Sequence, residues 1–162
     1  MTDTSLNPGG AGYFNLIDTG ASRQQFVLDP ATSGPCPFGT VVELEDYAGP
    51  GTTNPPTVPY VKPCSTTADT LVIGAITGGH NDIGQQLVAP GVPAIVTTQG
   101  LCQVLADATT VAGEALIQSP TTAGCVNTAS SPSSRTVGVC LQSKTISSGT
   151  ALVWAYIDPG AG

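Results

Sequence analysis

Charge is scarce in this 162-residue chain, at 9% Asp, Glu, Lys and Arg against about a quarter in ordinary soluble domains. Only Arg23, Lys62, Arg135 and Lys144 are basic, and they are scattered. No cationic stripe is available to meet a phosphate backbone, so nucleic acid is not expected as a partner. His80 is the single histidine, which rules out a histidine metal cluster within one subunit. No Gly-rich loop is followed by Lys-Ser or Lys-Thr, and the stretch 73–79 lacks the strand-to-helix setting of a nucleotide fingerprint. The longest apolar runs, such as Leu152 to Ile157, fall far short of the roughly 20 residues of a membrane span. Met1-Thr2-Asp3-Thr4-Ser5 has neither the basic nor the apolar region of a secretory signal, so maturation in a cytoplasm is expected.

The cysteines also define themselves by what is missing. Cys36, Cys64, Cys102, Cys125 and Cys140 contain no Cys-x-x-Cys pair, so metal-site templates do not fit, and their odd number excludes a complete disulfide framework. Cys102 and Cys140 sit inside strand-like runs, where a free thiol behaves as a small hydrophobe. Buried, reduced thiols are the expectation, with a Cys36–Cys64 pair between two Pro-rich loops as the alternative.

What the chain has in quantity is turn and strand chemistry. The 20 Gly and 14 Pro have no collagen-like period. One phrase recurs, a glycine followed by strand-forming residues: Gly39-Thr40-Val41-Val42-Glu43-Leu44, Gly113-Glu114-Ala115-Leu116-Ile117 and Gly149-Thr150-Ala151-Leu152-Val153. Glycine suits a positive-φ turn, and the residues behind it suit a pleated, half-buried surface. Strands are predicted at 70–76, 94–97, 100–105, 115–118, 136–141 and 152–157, at most one short helix at 81–88, and a polar loop at 130–134. The fold class is therefore all-β, a small β-barrel or β-sandwich with long Pro/Gly-rich loops. Residues 1–35 read as an extended N-terminal arm or first edge strand, and 36–162 as one β-rich domain. The Pro-dense stretch 49–63 reads as a surface loop, because Pro cannot donate to a ladder.

Three groups of residues are candidates for function. Tyr13 and Phe14 follow a glycine-rich tract and are candidate interaction anchors, set on a neighbouring subunit or on the chain's own barrel. Leu16-Ile17-Asp18-Thr19-Gly20-Ala21-Ser22 resembles the active-site signature of retroviral-type aspartic proteases, in which two such loops share a proton between two carboxylates. One copy per chain would require a dimer acting through Asp18, and the residues around the match do not follow that family's pattern. Asp18 hydrogen-bonding its own backbone in a turn accounts for the same residues. Glu43, Glu45 and Asp46 form the densest acidic group, for which a solvated strand end is expected ahead of a divalent-cation site.

Six stretches, taken together, are similar to the head decoration, or capsid cement, proteins of tailed bacteriophages: Phe38–Val42, Leu71–Ala75, Gln99–Val104, Thr110–Leu116, Thr136–Cys140 and Gly149–Val153. The Pro-rich insertion at 49–63 and the five cysteines depart from that pattern. The resemblance implies a tulip-like β body, without catalytic residues or cofactors. It implies a protein of the virion's outer surface that adds to an icosahedral head as a homotrimer and ties neighbouring major capsid protein subunits together. A chain poor in charge suits that role, since wide contacts form without desolvating many ions, and many copies on a lattice gain from multivalency. The protease and a virion fibre or adhesin module are the alternative readings.

Overall fold

The computed structural model describes residues 21–45, 59–67, 72–79, 86–131 and 136–159. Its organising element is a single 14-residue strand, β7 (Pro93–Ala106), where the sequence suggests two strands and a turn. Gly100 explains the difference. It has φ +112°, yet it continues the strand, and a Cβ there would lie 2.6 Å from Ala21 Cα. The glycine thus serves a close backbone approach rather than a reversal. Opposite it the register slips between Ser22 and Arg23, so Thr98 bulges and the strand bends without ending.

The other strands are β1 (Ser22–Leu28), β2 (Cys36–Pro37), β3 (Val41–Leu44), β4 (Tyr60–Pro63), β5 (Val72–Gly79), β6 (Leu87–Val88), β8 (Ala115–Gln118), β9 (Val126–Ala129), β10 (Thr136–Cys140) and β11 (Ala151–Ile157). No helix occurs among the described residues. Around β7 the pairings close twice. A first ring runs β1-β4-β3-β5-β7 and back to β1, and a second runs β7-β11-β10-β8-β9 and back to β7. The all-β, small-barrel architecture expected from the turn-and-strand phrases is the one found. Gly39, Gly113 and Gly149 have φ of 92°, 88° and 71°, and each stands just ahead of a strand.

Each ring has its own apolar core. Phe26, Leu28, Phe38, Val42, Ile76 and Val96 fill the first, and Val104, Leu116, Val126, Val137, Val153 and Ile157 fill the second. Adjacent apolar residues on β3 and β5 divide between the two: Val42 and Ile76 face the first core, Val41 and Ala75 the second. Successive side chains alternate across a strand, so a strand covered on both faces must be apolar at consecutive positions. That is why Val41-Val42 and Ala75-Ile76 do not alternate with polar residues.

Several expectations are corrected. Residues 22–28, part of the segment read as an extended arm or first edge strand, form a strand, β1, that is not an edge, since it is paired on both sides, antiparallel to β7 and parallel to β4. Within the stretch read as a Pro-rich loop, Tyr60–Pro63 is β4, antiparallel to β3. The prolines do not prevent this because they flank the donors. Pro59 only accepts, from Val27 N (3.2 Å), while the carbonyls of Tyr60 and Val61 take Glu45 N (3.0 Å) and Asp29 N (2.8 Å). At the end of the stretch predicted to be helical, Leu87–Val88 is a strand paired with Cys36–Pro37, and Val88 is buried in the first core.

All five cysteines are free and buried. Cys36 lies in the first core and Cys64 in the second, so the two are not partners. Burial pushes four of the thiols up, Cys36 and Cys125 to about 11 and Cys64 and Cys102 to about 12, and so keeps those four in the unreactive thiol form.

Candidate interaction surface

The second ring is unusual on its outside. β11 reads Ala-Leu-Val-Trp-Ala-Tyr-Ile, apolar in both phases. Val153, Ala155 and Ile157 enter the core, leaving Leu152, Trp154 and Tyr156 on the opposite face. The register assembles neighbours around them. Leu101, Tyr156, Val139 and Ala115 form one row across β7, β11, β10 and β8. Gln103 stands opposite Trp154 and Leu105 opposite Leu152. Past the end of β10, Leu141 N donates to Trp154 O (2.9 Å), and Trp154 N donates to Gln142 Oε1 (3.2 Å).

Four large apolar side chains in this face are strongly exposed: Leu141 48%, Tyr156 44%, Trp154 42% and Val139 41%. No charged side chain lies in the rows they form. At the rim Lys144 Nζ donates to Leu152 O (3.1 Å). Scattered exposed apolar residues are ordinary, but a contiguous face of them with two aromatics marks a surface that partners cover. Aromatic side chains bring large contact area at low entropic cost, and Tyr adds a polar tip.

Beside this face the second ring closes through very little ladder. β7 and β9 share one parallel pair, Ala106↔Val126, and Asp107 N reaches Val126 O at 3.4 Å. A polar clasp reinforces it. The Asp107 carboxylate accepts from Ser119 Oγ (2.6 Å) and Thr121 Oγ1 (2.7 Å) at its Oδ2, and from the Asn127 amide, oriented with nitrogen toward it, at Oδ1. Partial burial raises the Asp107 pKa, but hydrogen bonds from Ser119, Thr122 and Thr121 outweigh this and hold it below the usual carboxylate value. The loop before β9 is anchored on the first ring, with Val41 N donating to Gly124 O (2.8 Å) and Gly124 N to Cys64 O (2.9 Å).

The acidic group takes a different form from the solvated strand end expected of it. Glu43 is 3% exposed; its Oε2 accepts from Ser65 N (2.9 Å) and its Oε1 lies 3.7 Å from Lys62 Nζ. Lys62 also pairs with Glu45 at 3.0 Å. The hydrogen bond to Glu45 raises the lysine's pKa, burial opposes this, and the charges of Glu45, Glu43 and Asp29 add to the rise. One protein cation thus lies against both carboxylates, and no cluster of three or more metal-ligating side chains occurs among the described residues.

Tyr13, Phe14, Asp18, Asp46 and His80 lie outside the described residues. Leu71 does too, while Val72 of the same stretch is a core residue of β5. Sequence reasoning missed the face around Trp154 and Tyr156, although a signal was present. Six consecutive apolar residues from Leu152 to Ile157, too short for a membrane, put apolar side chains on both faces of one strand. No family model and no curated protein matches the chain.

Proposed function

We propose that this chain is a structural virion protein that decorates the outside of an icosahedral phage head and stabilises contacts between major capsid protein subunits, with no catalytic step. One observation carries the reading: the uncharged, aromatic outer face around Trp154 and Tyr156 on an otherwise charge-poor chain. Such a face suits a lattice of identical neighbours, where modest contacts are multiplied by copy number. The resemblance to capsid cement proteins supports the same role, since five of its six stretches overlap the ring strands β3, β7, β8, β10 and β11, and the sixth enters β5.

The direct experiment is cosedimentation of labelled protein with undecorated heads built from the major capsid protein encoded in the same genome. Saturable binding at a fixed ratio to capsid subunits supports decoration, and failure to cosediment sinks it. Native mass spectrometry tests the proposed homotrimer, for which the expected mass is three times the 16.2 kDa of one chain.

A further inference from the structure

The two ends of the apolar face carry charges of opposite sign, a pattern that is complementary to itself. We propose that a second copy of this chain covers the face, packed antiparallel across a two-fold axis, with Trp154 of each copy over Tyr156 of the other and Lys144 of each beside Asp158 of the other. At one end, Lys144 Nζ donates to Leu152 O (3.1 Å). An ammonium has three donors, and no carboxylate of the described residues pairs with this one. At the other end Asp158 N donates to Val137 O (2.9 Å), so the ladder runs one residue past β11. Alternation then sets Asp158 in the phase of Leu152, Trp154 and Tyr156, and no ion pair holds its carboxylate among the described residues.

Two-fold packing of this face on itself can set the two β11 strands parallel or antiparallel. Parallel strands bring Lys144 to Lys144 and Asp158 to Asp158, like charges at both ends. Antiparallel strands exchange the ends, so each ammonium meets a carboxylate. The axis then crosses β11 at Ala155, and Trp154 pairs with Tyr156 on either side of it, a contact that aromatic rings favour when offset. The rows between the two ends carry no charged side chain, so no unpaired ion is desolvated. Size sets the strength. Four strongly exposed apolar side chains are far fewer than the roughly 20–30 residues a side of a stable complex, so the contact is weak in dilute solution and gains where copies are held side by side. It goes beyond the head reading, since it needs no capsid, and it fits a lattice, where two-fold contacts join neighbouring homotrimers.

Zero-length carbodiimide coupling joins an amine to a carboxylate only where the two touch. Within one chain Lys144 and Asp158 lie at opposite ends of a face about 20 Å long, at roughly 3.3 Å per strand position, so a link between them comes from two copies. The test uses the full chain at a concentration on the order of 1 mM, as an equal mixture of light and heavy-isotope protein. The expected result is a Lys144–Asp158 cross-linked peptide in mixed light and heavy form. Lys144→Glu and Asp158→Lys, each checked by circular dichroism, should each weaken self-association by more than about tenfold in sedimentation equilibrium. The double variant Lys144→Glu/Asp158→Lys should restore both the association and the cross-link, because it exchanges both ends. Absence of the mixed cross-link in the parent chain overturns the proposal. A double variant that stays as weak as the single ones also overturns it, since the two groups would then meet something other than each other. The experiment uses no heads, so it and the cosedimentation can fail independently.

Discussion

The two rings share a strand but distribute their aromatic mass oppositely. The first turns Phe26 and Phe38 inward and closes through a ladder from Ser22↔Gln99 to Val27↔Pro93. The second has a core of Val, Ala, Cys, Leu and Ile, turns Trp154 and Tyr156 outward, and closes through one residue pair and a carboxylate clasp. Closure removes exposed sheet edges in both, but the first invests large side chains in its interior and the second displays them. On the function proposed above, the first ring is the scaffold and the second the contact surface.

Removing an inward aromatic is the most damaging way to break this contrast. Phe38→Ala is expected to cost about 3–5 kcal/mol in urea unfolding. Because β7 belongs to both rings, the loss should appear in one cooperative transition; two separated transitions would show that the rings are independent. Gly100→Ala comes next. It places a Cβ against Ala21 at a positive φ, and about 1–3 kcal/mol is expected, with hydrogen exchange accelerated in β1.

Asp107→Asn tests the seam and is expected to cost about 1–2 kcal/mol, with amide protection lost first in β9. The sign of its pH dependence follows from the lowered pKa. The stabilisation from Asp107 is full above the unfolded carboxylate value of about 3.9 and is lost as pH falls through the lower folded value. An acid titration should therefore show this loss in the parent chain and lack it in the Asn variant. The smallest effect on the fold belongs to Trp154→Ser with Tyr156→Ser, about 0.5 kcal/mol per site. If the face is the head contact, the same pair should weaken head binding by more than about 2 kcal/mol. Unchanged binding would move the contact elsewhere.

Much of the architecture was legible in the residues. Ala115–Gln118 was predicted with the observed limits, and the strands at 136–140 and 151–157 to within one residue, because glycine turns feeding apolar runs have few other conformations available. The errors have specific causes. Gly100 continues a strand at a close backbone approach, and a glycine looks the same in sequence whether it turns a chain or allows such an approach. β4 was hidden because composition counts prolines without knowing which neighbours need donors. β1, Ser-Arg-Gln-Gln-Phe-Val-Leu, has polar residues over its first half, and its place in the ladder comes from β7 rather than from its own pattern. Glu43 looked solvated because nothing local shows that Lys62 and the Ser65 amide will meet it.

By itself, the sequence determined the all-β class, the glycine-led strands of the C-terminal half and the scarcity of charge, since these depend on local backbone preference and composition. Tertiary structure alone decided that β7 would serve two rings, which of two adjacent valines would face which core, and that Trp154 and Tyr156 would share one uncharged face. Those outcomes depend on which distant strands pair and in what register, and no local preference encodes that.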